Sequence, residues 1–250
     1  MSTTASIAPG TTPKKSFIPL ECNPELMTTL IHNLGVSPTL TFVDVYSLSD
    51  PELLAFIPRP ALALLLVFPV SASYEEFRQR EDAARPEHYT GHGADEDPVW
   101  FKQTIRNACG LIGVLHAVAN GARGQIQPNT PLADFLATAQ PLPMAERALA
   151  LENSPALSSA HLEAASRGAT AAPSAEDDVE LHYVCLVKSV KDNHLYELDG
   201  RRRGPLDRGY IGDEDVLCDE ARKVVQSFIE REESTGRLDF SLVALVQGFD

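Results

Sequence analysis

A continuous apolar run in the first third of the chain places the strongest constraint on its fold. The run covers residues 61–70, follows Pro60 and contains Pro69 near its end. A short apolar stretch without polar alternation, bounded by proline, is typical of a strand that is covered on both faces. It is too short to span a membrane, which takes about 20 residues. The run therefore predicts a buried central strand.

Helix and strand signals surround this run on both sides. Asn23-Pro24-Glu25 predicts a helix start, with a capping amide, a proline at the first helical position and an acid in the first turn. Leu26, Leu30, Ile31 and Leu34 follow at helical spacing, and Gly35 ends the helix. Further helices are predicted at 73–82, 103–120, 131–138, 143–151 and 216–232, with a short one from Asp50, and strands at 41–45, 181–190, 194–198 and 240–246. Together these elements predict one α/β domain.

Two segments lack the pattern of a regular element. Residues 1–15 are rich in Ser, Thr, Pro and Gly and predict a disordered leader, so the folded domain extends over residues 16–250. Residues 153–178 contain few large apolar side chains, and we expect a long, mobile surface loop in which His161 is solvated. Loops of this length inside a domain are uncommon and often serve as lids or binding loops.

Charge and cysteine content exclude several classes of function. The formal net charge of -14 argues against a nucleic-acid partner, since phosphate binding needs a basic surface, although an acidic chain also simply favours solubility. The four cysteines form no Cys-x-x-Cys pair, and no zinc-ligand spacing is present. No secretory signal is recognisable. We therefore expect a cytoplasmic protein without metal or cofactor; the nucleus, also reducing, is compatible too.

Three separated segments carry the residue types of a thiol hydrolase. Residues 102–110 contain Gln103 and Cys109, residues 181–183 contain His182, and residues 196–200 contain Asp199. A cysteine is a useful nucleophile only as a thiolate, which needs a base beside it, and the base needs a partner that fixes its tautomer. Each residue alone is more often structural, but their combination favours a cysteine hydrolase.

With these motifs the chain resembles the ubiquitin C-terminal hydrolase family, papain-like cysteine peptidases that cut small adducts from the C-terminus of ubiquitin. The resemblance covers nearly everything after the leader. It is carried by Pro19-Leu20-Glu21, Asn23-Pro24-Glu25, Phe42-Val43-Asp44-Val45-Tyr46, Pro51-Glu52-Leu53-Leu54, Ile57-Pro58-Arg59-Pro60, Lys102-Gln103-Thr104-Ile105, Asn107-Ala108-Cys109-Gly110 and Leu195-Tyr196-Glu197-Leu198-Asp199-Gly200-Arg201. It implies an α/β fold of the α+β, papain-like type: a central, mostly antiparallel sheet flanked by helices on both faces, with a knotted backbone. It also implies a short, single-domain, monomeric member.

The resemblance assigns a role to each motif residue. Cys109 would be the nucleophile, near a helix start whose dipole lowers the pKa of a thiol. His182 would be the general base that then protonates the leaving group, and Asp199 would orient His182. Gln103 would donate its side-chain amide to the oxyanion, alongside the backbone N–H of Cys109. The loop 153–178 corresponds to the family's crossover loop, which straddles the cleft and restricts the enzyme to small leaving groups.

The resemblance also implies a function for the net negative charge of the chain. The C-terminal tail of ubiquitin is arginine-rich and can pair with carboxylates. By their place in the matching motifs, Glu21, Glu25 and Asp44 would contact this tail, unless they are ordinary surface charges, and Leu20 would pack against ubiquitin. Two alternatives stay open: a ubiquitin-binding module with little turnover, against which the intact catalytic set argues, and a hydrolase specific for a ubiquitin-like modifier.

Overall fold

The computed structural model describes residues 15–168, 174–175, 179–233 and 235–248, so the predicted leader lies outside the described residues except for Lys15. The helices are α1 (Pro24–Leu34), α2 (Pro51–Ala55), α3 (Ala72–Ala83), α4 (Cys109–Gly121), α5 (Pro131–Ala139), α6 (Met144–Glu152), α7 (Pro155–Ala165) and α8 (Asp219–Glu233). The strands are β1 (Leu40–Asp44), β2 (Ala61–Pro69), β3 (Leu181–Lys188), β4 (His194–Leu198), β5 (Leu206–Tyr210) and β6 (Ser241–Gln247). Among the described residues, no helix is long and apolar enough to cross a membrane.

The strands form one six-stranded sheet in the order β1-β6-β2-β3-β4-β5, in which every neighbouring pair is antiparallel. The apolar run forms β2, which lies between β6 and β3 and is buried at every position except Leu62. The predicted central strand is therefore confirmed. The edge strand β5 was not predicted, because only Leu206 of its residues is buried and no apolar alternation marks it.

Successive side chains of β2 enter two different cores, because neighbouring residues of a strand point to opposite faces. Leu65 and Val67 pack in a core with α1, α4, α5 and α7. Leu64, Leu66 and Phe68 pack in a second core with side chains of α3 and α8. Helices thus cover both faces of the sheet, as the fold class requires.

Part of the segment expected to be a loop is a helix. Ser154 caps α7 by accepting from Leu157 N at 3.3 Å, and Pro155 occupies the first helical position. The helix buries one leucine among alanines, and such small side chains give only a weak apolar periodicity. The expectation of a loop was therefore wrong for Pro155–Ala165. Residues 169–173 and 176–178 of the predicted loop lie outside the described residues.

Candidate active site

Cys109 is the first residue of α4, a helix packed deep in the protein. The turn before it contains Asn107 in the left-handed region (φ 59°), which asparagine tolerates better than most residues, and Ala108, whose side chain cannot cap the helix. Gly110 to Asn120 are all buried. A cysteine in this position sees the positive end of the helix dipole in surroundings that screen it poorly, which favours the thiolate.

Gly110 allows this helix to approach the N-terminal segment closely. A Cβ on Gly110 would lie 2.8 Å from the Cβ of Leu20, a distance that real side chains do not adopt. Leu20 is consequently held directly beside the turn that carries Cys109. Gly110 therefore serves packing, and its close approach to Leu20 fixes the position of Leu20 beside Cys109.

His182 lies on β3, beside Phe68 of the central strand. Its side chain is 4% exposed, and its ring packs edge-on against Phe68 with 5.9 Å between the centroids. Nε2 lies 2.7 Å from Oδ1 of Asp199. Because Nε2 is engaged by the carboxylate, Nδ1 is the ring nitrogen left for the hydrogen bond between His182 and the Cys109 sulfur. The predicted base and its orienting acid are thus brought together with the cysteine.

The three groups change one another's pKa values. Burial opposes a charge on Cys109, but the hydrogen bond and charge of His182, with the backbone N–H of Tyr183, hold the pKa of the thiol below its ordinary value. Burial likewise opposes a charged His182, yet Asp199 raises the pKa of that imidazole to about 9. Burial would raise the pKa of Asp199, but His182 holds it well below its usual range. These directions favour a thiolate–imidazolium pair at neutral pH.

Asp199 occupies the turn directly after β4 and is fully buried. Its Oδ1 also accepts from the backbone N–H of Arg201 at 2.7 Å, and its carbonyl oxygen accepts from Trp100 Nε1 at 3.1 Å. The next residue, Gly200, packs so closely that a Cβ there would lie 2.9 Å from the Cβ of Gln103. The Asp-Gly pair is therefore a packed part of the site.

Gln103 approaches the site in a non-helical segment. The predicted helix over 103–120 was wrong for residues 103–108, because α4 begins only at Cys109. The Gln103 backbone N–H donates to the Gly200 carbonyl at 2.9 Å, which binds this segment to the turn after Asp199. Its side-chain Nε2 donates to the Ile105 carbonyl at 3.3 Å, and among the described residues its buried Oε1 accepts no hydrogen bond. Its predicted oxyanion role stays a prediction.

A cavity of about 200 Å³ opens at Cys109 and is mostly apolar. Its lining residues are Pro19, Leu20, Glu21, Val67, Asn107, Cys109, Ala165, Gly168, Val179, Leu181 and Tyr183. Ala165 and Gly168 lie within residues 153–178, the segment that was predicted to cross the cleft, and Val179 directly follows it. Within the predicted crossover segment, the Ala175 carbonyl accepts a hydrogen bond from Nδ2 of Asn107 at 3.0 Å. Asn107 lies two residues before Cys109 in the chain. Cys109, the predicted nucleophile, thus faces a cavity that is bordered in part by this segment.

Comparison with known proteins agrees with this geometry. Residues 17–230 match the family described as ubiquitin carboxyl-terminal hydrolase, family 1. The chain is 39% identical over 228 residues to ubiquitin carboxyl-terminal hydrolase isozyme L1 of Equus caballus, covering 91% of this chain and 96% of the relative. It is 38% identical over 240 residues to ubiquitin carboxyl-terminal hydrolase 3 of Arabidopsis thaliana, covering 92% and 94%.

The chain belongs to ubiquitin carboxyl-terminal hydrolase family 1. Its fold is also similar to that of the Trichinella spiralis UCH37 catalytic domain, solved bound to ubiquitin vinyl methyl ester. The TM-score is 0.71 at 20% identity, with 94% of this chain and 97% of that chain covered. This similarity confirms the predicted fold class, while the knotted backbone path stays a prediction.

In this hydrolase, α7 holds the N-terminal segment against the active site. The ring of His161 stacks on Phe17 with 4.6 Å between centroids, and its Nε2 donates to the Ile18 carbonyl at 2.7 Å. Lys15 Nζ donates to the Ser158 hydroxyl of α7 at 3.0 Å, and to the Glu152 carbonyl at the end of α6 at 2.6 Å. The expectation of a solvated His161 was wrong: the residue is buried, and burial lowers its pKa. These contacts set the path of the chain toward Leu20.

The four predicted ubiquitin contacts divide between two sites. Leu20 and Glu21 line the cavity at Cys109, and the Leu20 carbonyl accepts from the Tyr183 hydroxyl at 2.9 Å. Glu25 and Asp44 instead line a neighbouring surface groove of about 530 Å³, which we call the α1–β1 groove. Its lining residues are Asn23, Pro24, Glu25, Phe42, Val43, Asp44, Tyr46, Leu53, Phe56 and Ile57.

Sequence reasoning missed the aromatic part of the α1–β1 groove. Tyr46 and Phe56 are 79% and 78% exposed, although both are large and partly apolar. The Tyr46 hydroxyl donates to Asp44 Oδ2 at 3.0 Å, which places an aromatic ring beside a carboxylate. A local sequence pattern does not distinguish an exposed aromatic residue from a buried one, so no signal in the sequence marked these two.

Proposed function

We propose that this hydrolase releases small adducts or peptides from the C-terminal glycine of ubiquitin through a thioester intermediate. The observation that carries the proposal is the arrangement of a partly exposed Cys109 beside the buried His182 and Asp199, at the opening of a mostly apolar cavity. Family membership and the identities to named ubiquitin carboxyl-terminal hydrolases support the substrate. The cysteine, histidine and aspartate act as nucleophile, base and orienting acid.

The first half-reaction forms the thioester. The Cys109 thiolate attacks the carbonyl carbon of the terminal glycine, and the carbonyl oxygen becomes an oxyanion. The backbone N–H of Cys109 and the Gln103 amide stabilise that oxyanion. The Gln103 amide becomes available by exchanging its long 3.3 Å bond to the Ile105 carbonyl for the developing charge. The His182 imidazolium then protonates the leaving group as its bond to the carbonyl carbon breaks.

The second half-reaction restores the enzyme. Neutral His182 removes a proton from water, the hydroxide equivalent attacks the thioester carbon, and Cys109 leaves as thiolate. Asp199 keeps Nε2 occupied at 2.7 Å, so the ring presents Nδ1 to the reacting groups in both steps. Ubiquitin with a free C-terminal carboxylate is the product.

Charge and exposure support ubiquitin as the partner. The path away from Cys109 passes Glu21 at the cavity and reaches Glu25 and Asp44 in the α1–β1 groove. Carboxylates placed in this way suit an arginine-bearing tail. The exposed rings of Tyr46 and Phe56 offer apolar contact area beyond the tail. A net charge of -14 favours the approach of a basic segment.

The same surface suits any modifier with an arginine-bearing tail, so a ubiquitin-like substrate is the second candidate. We place the hydrolase in the cytoplasm, and the nucleus is compatible, because its four cysteines are all free thiols. We expect it to act as a monomer. The preference for small leaving groups follows from the segment that borders the cavity and binds Asn107 through the Ala175 carbonyl.

Hydrolysis of ubiquitin carrying a fluorogenic C-terminal amide tests the proposal. Wild type should release the fluorophore and Cys109→Ala should not, while still binding ubiquitin. Cys218→Ala is the matched control, because it removes a thiol in the second core, on the other face of the sheet, and should retain activity. Binding without turnover in the wild type would favour the binding-module alternative. Neither binding nor turnover would favour a ubiquitin-like modifier.

A further inference from the structure

The two oxygens of the Asp199 carboxylate have different partners. Oδ1 accepts from His182 Nε2 at 2.7 Å and from the Arg201 backbone N–H at 2.7 Å. Oδ2 faces α3, where the Tyr74 hydroxyl donates to it at 3.2 Å. Tyr74 is 1% exposed and Asp199 is 0% exposed, so water does not replace this donor. Among the described residues the Tyr74 hydroxyl is the one hydrogen-bond donor to Oδ2, so it decides whether Oδ2 is satisfied.

A carboxylate held at both oxygens cannot turn about its Cβ–Cγ bond without breaking hydrogen bonds on both sides. Held at one oxygen only, it can tilt toward other donors, and a buried oxygen without a donor is unfavourable. We propose that Tyr74 is a positioning residue of this hydrolase: its hydroxyl locks the Asp199 carboxylate so that Oδ1 stays on His182 Nε2. This inference rests on the catalytic roles proposed above.

Tyr74 is itself rigidly held. Its ring packs edge-on against Phe68 with 4.7 Å between centroids and lies 6.1 Å from Phe228. Burial and the nearby charge of Asp199 raise the pKa of Tyr74 well above its usual value, so the hydroxyl stays a neutral donor. Because the Tyr74 hydroxyl keeps both its position and its proton, it can hold the Asp199 carboxylate in one orientation.

The first turn of α3 is attached to its surroundings at two further points. Ser71, the N-cap, accepts from Tyr74 N at 3.0 Å and donates to Glu232 Oε1 of α8 at 2.6 Å. Glu75, next to Tyr74, forms an ion pair with Arg201. Arg201 is the residue whose backbone N–H binds Asp199 Oδ1. Consequently the first turn of α3 contacts the Asp199 turn through two residues, Tyr74 and Glu75.

Tyr74→Phe separates the hydroxyl from the ring, because phenylalanine keeps the contacts with Phe68 and Phe228. Tyr196→Phe is the matched control. It removes a hydroxyl from β4, the strand that leads to Asp199, but that hydroxyl donates to Asp192 Oδ2 at 2.9 Å. Two readouts are compared: kcat and KM on ubiquitin fluorogenic amide, and the pH dependence of alkylation by iodoacetamide, mapped to Cys109 by mass spectrometry.

We expect Tyr74→Phe to lower kcat about tenfold with KM unchanged. The loss of one hydrogen bond to a charged group, if it is felt in the transition state, slows the reaction by about this factor. A less well-oriented Asp199 stabilises the His182 imidazolium less, and the imidazolium then stabilises the thiolate less. The pH midpoint of Cys109 alkylation should therefore rise by about one unit. Tyr196→Phe should leave both readouts unchanged.

A double-mutant cycle with Asp199→Asn tests whether Tyr74 acts through the aspartate. Once the carboxylate is gone, Tyr74→Phe should cause no further loss, and multiplying losses would overturn the proposal. An unchanged alkylation midpoint in Tyr74→Phe would overturn it too, whether kcat falls or not. So would failure of Tyr74→Phe to fold, because the hydroxyl would then support the fold itself.

Alkylation needs no ubiquitin, so the test does not depend on the substrate assignment. A raised midpoint in a protein that does not turn over ubiquitin would support the role of Tyr74 and remove only the proposed substrate. The other thiols do not confuse the signal: burial raises the pKa of Cys22 to about 12, and Cys185 and Cys218 are buried.

Discussion

The cavity at Cys109 and the α1–β1 groove are neighbours that place their charges in opposite environments. Behind Cys109 at the first, His182 and Asp199 are buried, and each changes the pKa of the other. In the second, Tyr46 and Phe56 are almost fully exposed beside Glu25 and Asp44. Buried charges act strongly on one another because little solvent screens them. Exposed groups are available to a partner, but each contributes little.

This difference separates chemistry from recognition. Substitutions of Cys109, His182 or Asp199 should change kcat and its pH dependence, because these groups are proposed to act in the transition state. Substitutions in the groove should change KM, because they alter binding that is equal in the ground state and the transition state. A substitution in the α1–β1 groove that changed the pH profile of kcat would contradict this separation.

The largest effect is expected for His182→Ala. Without the imidazole, the thiol has no base and the leaving group has no proton donor, so kcat should fall by about 10⁴-fold or more. Single-turnover kinetics on ubiquitin fluorogenic amide measure this loss. His194→Ala is the matched control, since His194 lies at the start of β4 and pairs with Asp207 instead. Equal losses in both variants would contradict the assignment.

The next largest effect is expected at alkaline pH, where activity should fall. His182 has its pKa raised to about 9, so the imidazolium that protonates the leaving group persists above the ordinary histidine range. We expect kcat/KM to hold between pH 7 and 8 and to fall about tenfold for each unit well above pH 9. A pH series on the fluorogenic amide measures this limit. A fall that began near pH 6.5 would mean that Asp199 does not act on His182.

The same pKa shift has a consequence for stability. The folded-state pKa of His182 lies above its unfolded value, so its contribution to stability is complete below about pH 6.5 and is lost as the pH rises through 9. This part of the stability therefore declines between about pH 6.5 and 9, whereas activity falls only above pH 9. Urea unfolding at pH 7 and pH 10, compared between wild type and His182→Ala, measures the loss.

The smallest effect is expected in the α1–β1 groove. Asp44→Lys reverses a charge beside Tyr46, and KM should rise about fivefold, as for a partly exposed ion pair worth ~1 kcal/mol. Asp239→Lys makes the same charge change at an exposed site that is not among the groove residues. Steady-state kinetics at low and high salt measure the difference, which salt should reduce. Equal KM values for the two variants would exclude Asp44 from recognition.

Local patterns were sufficient for most of the helices and strands and for naming Cys109, His182 and Asp199 as a candidate set. The apolar run predicted β2, Asn23-Pro24 predicted the start of α1, and the motifs around Cys109, His182 and Asp199 named residues that the fold brings together. These signals are visible in short stretches of sequence, because helix capping, apolar periodicity and the residue order within a motif depend on residues that are close in the chain. Belonging to the ubiquitin carboxyl-terminal hydrolases likewise follows from sequence alone.

Contacts between distant residues were decided only in the tertiary structure. Helix α7 was missed because alanines form most of its buried face. His161 is buried because Phe17, which lies far away in the sequence near the N-terminus, stacks on its ring. Tyr74 lies 125 residues from Asp199, and no pattern in α3 marks its hydroxyl as the donor to Oδ2. The sequence thus determined which groups we propose for the chemistry. Packing of the sheet, α3 and α7 determined how those groups are oriented, because orientation depends on neighbours that only folding supplies.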